Sequence, residues 1–298
     1  MYTLPVPDLR FYLKVSRPRF WIYVVGPYIV GLAAAAGHVG QLSWTAIVFF
    51  LYFLVPANLL IYGVNDIFDY ETDKLNSKKT EYECLIPPEF RRRLYWAILI
   101  INLPFVALAI VTLGNARLAL AAFLFFSIFY SAPPIRAKAI PFLDSTFNIL
   151  YIMPGVCAYQ MVAGTTPPAT LLVAAGLWTA AMHAFSAIPD IESDRRARLS
   201  TIATTLGSNG THLFCLAAYI GSGLLSFGYL SYFSVAAVSI YASMMVISLS
   251  TTGRDGVFRI YRVFPAVNAM VGFGLFLYAA FFKLLLCFTV PCDPGPLP

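Results

Sequence analysis

Three short stretches gather most of the residues able to do chemistry. The first is Asn65-Asp66-Ile67-Phe68-Asp69-Tyr70-Glu71-Thr72-Asp73. On a helix, Asn65, Asp69 and Asp73 recur at i, i+4 and i+8 and stack on one face, with Asp66 beside that line. Like charges so placed repel each other and call for a compensating cation. Hard oxygen ligands in this pattern suit Mg²⁺, which binds through a few carboxylates plus substrate phosphates. The second stretch is Asp190-Ile191-Glu192-Ser193-Asp194. Asp190 and Asp194 again share a helix face, and Pro189 before them either kinks a helix or starts a new one. Two such clusters facing one cavity can hold Mg²⁺ around one diphosphate. For each cluster alone, a solvated acidic loop is the competing explanation.

The third stretch runs from Tyr130 through Ser131, Pro133, Pro134 and Arg136 to Lys138, with Asp144 beyond it. The double proline ends a helix, and two cations follow at once. They can take diphosphate oxygens that a metal leaves free, Arg136 bidentately and Lys138 as a point charge. The competing explanation is ordinary basic decoration of a membrane loop. His183, seven residues before Asp190, falls on roughly the same helix face, either as a packing and hydrogen-bonding residue or near a second substrate.

The elements that must position these groups follow from composition. The chain has 298 residues, 59% hydrophobic and 11% charged, where a soluble domain carries about 25% charged residues. Its mean hydropathy is +0.75. Such a chain cannot cover itself with a water-compatible surface, so a soluble enzyme and a disordered chain are both excluded. At about 20 apolar residues per crossing, there is room for one all-α polytopic membrane domain over residues 1–298 and little else. Nine apolar segments can be marked, near 20–37, 44–65, 94–113, 116–131, 145–163, 169–188, 211–228, 232–250 and 264–288. The first is longer than the roughly 7–15 residues of a signal-peptide core and is expected to stay as a membrane helix. Pro104 and Pro154 fall inside segments and mark kinks. The five cysteines lack metal-ligand spacing and are expected to pack.

With nine helices, all Lys and Arg except Arg117 and Lys283 fall on one side of the membrane. The positive-inside rule then places the N-terminus and the long loops in the cytoplasm, with the chain in the cell membrane. It also accounts for the net charge of +6 without nucleic acid. The two acidic stretches lie about 125 residues apart, in equivalent places of two four-helix halves, a hint of internal duplication.

NDIFDYETD, YSAPPIRAK and DIESD, in this order on nine helices, resemble the UbiA superfamily of intramembrane prenyltransferases over essentially the whole chain. The resemblance implies a UbiA-like bundle, Mg²⁺ as cofactor and an allylic prenyl diphosphate as donor. It assigns Asn65, Asp66, Asp69, Asp73, Asp190 and Asp194 to metal and diphosphate, with Asp66, Asp69, Asp190 and Asp194 as the catalytic acids. Arg136 and Lys138 become diphosphate contacts, and Tyr130 joins the substrate site. Arg17, in Ser16-Arg17-Pro18, matches a basic residue often found before the first helix. Mg²⁺ and the cations would stabilise the departing diphosphate. An aromatic interior would shelter the allylic cation.

The strings MHAFSAIPDIESD, TIATTLG and PFLDS look like the lycopene elongase branch. That branch implies dimethylallyl diphosphate as donor and lycopene, a lipid-soluble acceptor, as nucleophile in fifty-carbon carotenoid synthesis. An aromatic quinone precursor or a glycerol lipid is the alternative acceptor. From a different class, a transporter would need ionisable groups near the bilayer midplane, whereas these charges crowd at one face. A CDP-alcohol phosphotransferase would need a DGxxAR stretch, which the chain lacks.

Overall fold

The computed structural model describes residues 8–70, 85–251 and 254–289. Among them every regular element is helical, as the apolar runs require: in lipid a helix satisfies its own backbone. We number the helices α1 (Leu9–Val15), α2 (Ile22–Ala35), α3 (Trp44–Leu54), α4 (Pro56–Phe68), α5 (Arg91–Thr112), α6 (Ala116–Phe129), α7 (Leu143–Thr146), α8 (Met153–Ala163), α9 (Ala169–Ala187), α10 (Ile191–Arg196), α11 (Ile202–Leu230), α12 (Tyr232–Ser250) and α13 (Arg254–Thr289).

Eight stretches of the described residues are long and apolar enough to cross a membrane. They coincide with eight of the nine expected segments. The remaining one, near 116–131, forms the 14-residue α6, about 21 Å long at helical rise against a hydrocarbon thickness of about 30 Å. Two breaks shorten it: the turn at Gly114, where φ is +51°, and the double proline after Tyr130. The expected kink at Pro154 is also corrected. Residues 147–151 are 3₁₀, and Pro154 sits in the first turn of α8, where its missing N–H costs no helical bond. Pro104 does lie inside α5.

Two apolar cores divide the bundle. One gathers Tyr28, Phe53, Leu59, Leu94, Phe123 and Leu150 from α2 to α8. The other gathers Phe185, Ile202, Cys215, Tyr219, Tyr241 and Phe264 from α9 to α13. The division falls after α8, so the segment near 145–163, which opens the second half in the sequence reading, packs in the first core. The ring closes where α13 packs on α2. Close approach of α2 to α8 depends on two glycines. A Cβ at Gly31 would sit 2.2 Å from the Gly155 carbonyl oxygen, and one at Gly155 would sit 2.8 Å from that of Pro27. Small residues let membrane helices meet backbone to backbone in this way. Outward faces carry exposed Ile100, Val111, Leu224 and Met270, a surface suited to lipid. Cys157 and Cys215 are buried and free, as expected for packing residues.

One junction ties the halves together near the three motifs. Thr201 and Thr204 form a reciprocal capping box at the start of α11. The Asp144 carboxylate accepts the Ile202 backbone N–H at 2.9 Å. An anion at a helix N-terminus meets both an orphan donor and the positive end of the helix dipole.

Candidate active site

The three motifs meet at one end of the bundle. Asn65 and Asp66 lie in the last turn of α4, and Asp69 caps it with φ −108° and ψ 5°. The helix stops at Phe68 instead of continuing through Asp69; Asp73 of the expected helical face lies outside the described residues, as does Glu71. The i, i+4 pair survives, because Asn65 Nδ2 donates to Asp69 Oδ2 at 2.5 Å. Leaving the helix turns Asp69 toward the loop after α6.

That loop supplies the cations. Lys138 Nζ stands 2.5 Å from Asp69 Oδ2, and Arg136 Nη2 stands 3.7 Å from Oδ1. Ser131, absent from the sequence-derived candidates, is buried and donates to Asp69 Oδ2 at 3.3 Å while accepting from Asn65 at 3.0 Å. Asp69 itself is fully buried. Asp66, also buried, pairs with Arg17 at 2.8 Å, and that guanidinium lies 4.6 Å from the centre of the Tyr62 ring. The weakly specific match at Arg17 is thus placed at the acidic site.

Arg17 and Arg136 share an uncommon backbone. Both are left-handed, with φ of 51° and 47°, and each begins a short 3₁₀ turn. A non-glycine residue there costs about 1–3 kcal/mol and persists only where its surroundings fix it. Each sends a guanidinium to a buried carboxylate.

The second acidic motif comes from the end of α9. The backbone stays helical through the 3₁₀ turn Ile188–Asp190 into α10, with Pro189 at its start. Asp190 and Asp194 keep their four-residue spacing and are half-buried. Exposed Glu192 pairs with Arg196 instead. Tyr130 links the two motifs: its phenol lies within reach of the charges of both Asp69 and Asp194. Its hydroxyl is 2.9 Å from His183 Nε2. Among the described residues no group of three acidic, His or Cys side chains is gathered into a ready metal site. The Asp66 and Asp69 carboxylates are held by cations.

Behind this polar end the seam between the two cores is aromatic. Phe20, Tyr23, Tyr62 and Tyr151 approach one another ring to ring. Asn268 of α13 donates to the Tyr23 hydroxyl at 3.2 Å and accepts from Tyr241 at 2.9 Å. A lone polar side chain in a membrane helix was the signal that could have picked out Asn268.

An integral membrane bundle with ion-paired carboxylates at one end and an aromatic interior behind them is the class that fold and site define. Residues 24–263 match the UbiA prenyltransferase family, and the chain belongs to that family; it is a prenyltransferase. It is 42% identical over 271 residues to a lycopene elongase/hydratase of Haloarcula japonica, covering 89% of each chain. It is 40% identical over 275 residues to a lycopene elongase/hydratase of Haloferax volcanii, covering 89% of this chain and 87% of the relative. In fold it is similar to a UbiA homolog from Archaeoglobus fulgidus bound to DMAPP and Mg2+, with a TM-score of 0.64 and 18% identity, over 89% of this chain and 98% of that one.

Proposed function

We propose that this prenyltransferase moves a dimethylallyl group from its diphosphate to an end of lycopene, with Mg²⁺ as cofactor, in fifty-carbon carotenoid synthesis. The observation that carries the reading is the pair of buried carboxylates, Asp66 and Asp69, each held by a cation from another motif. Buried carboxylates are costly unless paired. A divalent metal is a stronger partner than an ammonium, and a diphosphate is a stronger partner for Arg17, Arg136 and Lys138 than a lone carboxylate. The donor set therefore fits an exchange in which metal and diphosphate enter together. Asn65, Asp66, Asp69, Asp73, Asp190 and Asp194 would hold the metal, which when bound neutralises charge on the departing diphosphate.

The chain's own residues do the rest. Arg136, Lys138 and Arg17 orient the diphosphate at the polar end. The aromatic seam keeps water from the allylic carbon and offers π faces to developing positive charge. The acceptor's alkene end then supplies the electron pair that forms the new carbon–carbon bond. Lycopene as acceptor is supported by the two relatives at 40–42% identity and by the sequence strings around Asp190 and Asp144. The same reading places the enzyme in the cell membrane with its motif loops in the cytoplasm, on the strength of its one-sided Lys and Arg. Expression in a lycopene-producing host tests it. New pigments heavier than lycopene by one or two five-carbon units are expected; unchanged lycopene with prenylated quinone precursors or lipids would refute the acceptor.

A further inference from the structure

Every such transfer must dispose of a proton. Once the alkene has attacked and the carbon–oxygen bond to diphosphate has broken, the acceptor carries a tertiary cation. It is quenched either by losing an adjacent proton or by adding water that then loses one. Of the carboxylates at the acidic site, Asp66 and Asp69 are held by cations and Asp144 accepts, through Oδ2, the N–H at the start of α11, while Asp190 and Asp194 belong to the metal set of the proposed function.

His183 is placed differently. It lies in α9, seven residues before Asp190, so roughly 10 Å along the helix from that acid toward the bundle interior. The diphosphate end of the donor belongs with the acids, and the prenyl carbons extend inward. On the proposed function, the imidazole stands beside Tyr130, between the acids and the interior that receives the prenyl chain. It is held at both ring nitrogens. The Tyr130 hydroxyl is 2.9 Å from Nε2, and the Ser145 hydroxyl is 3.2 Å from Nδ1. The three residues come from three elements, the end of α6, α7 and α9. Of the other two histidines, His212 binds the Ser208 carbonyl and Ser248 within α11 and α12, and His38 sits in the turn after α2. Neither approaches the motifs.

We propose that Tyr130 and His183 form the proton acceptor that quenches the acceptor-derived cation, with Ser145 positioning the imidazole. This rests on the prenyl-transfer reading above. The proton from the cation, or from the adding water, passes to the Tyr130 oxygen. The phenol's own proton passes to Nε2. When a C–H proton is lost, the electron pair left behind forms the new alkene; when water adds, an oxygen lone pair forms the carbon–oxygen bond and the O–H pair stays on the hydroxyl oxygen. His183 becomes an imidazolium whose Nδ1–H is held by Ser145, and its extra proton leaves later with diphosphate or to water.

The test uses the full-length enzyme in lipid with Mg²⁺ and dimethylallyl diphosphate, once with lycopene and once with 4-hydroxybenzoate. Diphosphate released and prenylated product formed are both counted, for wild type, His183→Gln, Tyr130→Phe and the double variant. The relay predicts a product-to-diphosphate ratio near one for wild type. It predicts a ratio at least about tenfold lower in each single variant, the low end of what positioned proton transfer contributes, because an unquenched adduct breaks its new carbon–carbon bond again and the dimethylallyl cation so released is captured by water as dimethylallyl alcohol. The double variant should be no worse than the singles, because the two act as one unit. If His183→Gln is not recovered folded, Ser145→Ala carries the test, with a smaller drop in the same ratio. A wild-type ratio in the variants overturns the relay alone. Transfer by the wild type to neither acceptor overturns the proposed function and the relay with it.

Discussion

Lys138→Met removes the nearest cation from a carboxylate that has no contact with solvent. The substitution keeps the length and the apolar stem of the side chain. It leaves Asp69 with the Asn65 amide at 2.5 Å, the Ser131 hydroxyl at 3.3 Å and Arg136 at 3.7 Å. Stripping one partner from a buried pair costs about 3–5 kcal/mol. Arg136 stays in range, but 42% of its side chain is exposed, so it offsets about 1 kcal/mol at most. We expect a net loss of about 2–4 kcal/mol. Adding Asp69→Asn should restore part of that loss, since the orphaned charge is then gone. The assay is a double-mutant cycle of unfolding in detergent, with coupling of about 1–3 kcal/mol expected between the two sites. A Lys138→Met protein as stable as wild type, or a strictly additive double variant, would refute the buried-pair argument and with it the idea that Lys138 holds Asp69 ready for exchange.

Other outcomes follow from the same geometry. Asp190→Ala and Asp194→Ala should each abolish transfer while leaving thermal unfolding close to wild type, because both acids are half-buried at the wet end; turnover near wild type with Mg²⁺ present would remove the second cluster from the site. Gly31→Ala should cost about 1–3 kcal/mol or more by overpacking, since its Cβ would overlap the Gly155 carbonyl; unchanged unfolding would mean that α2 and α8 are not in backbone contact. Cysteines introduced at Ser200 and Thr251 should label from the same side of the membrane and one at Thr166 from the other; labelling of Ser200 and Thr251 from opposite sides would contradict the assignment of their loops.

Much of this arrangement is legible in the residues. Apolar length fixes helices because lipid offers the backbone no other partner, and most segment boundaries fall within a few residues of the observed ones, while α11 and α13 begin eight to ten residues earlier than their apolar runs, in polar stretches that extend the helices. Asn65, Asp66, Asp69, Arg136 and Lys138 stand out because charge at a helix end in so apolar a chain requires a reason. What escapes the sequence is tertiary. Helical spacing reads α4 on toward Asp73, whereas the helix ends at Phe68 with Asp69 as its cap and Lys138 beside that carboxylate. No local pattern says that Asp144 serves the start of α11, 58 residues onward, or that Ser145 meets His183. Nor does residue type reveal the left-handed backbone of Arg17 and Arg136, since arginine has no preference for it. Ser131 lay within a motif string but carries no charge, so only its distance to Asp69 marks it.

The measurement that bears most directly on the central claim is transfer by the purified enzyme in lipid, given dimethylallyl diphosphate and lycopene, with and without Mg²⁺. Release of diphosphate and appearance of a prenylated carotenoid, both lost on chelation and both restored by Mg²⁺, are the expected result. Transfer to 4-hydroxybenzoate with none to lycopene, or transfer that persists without divalent metal, would contradict it.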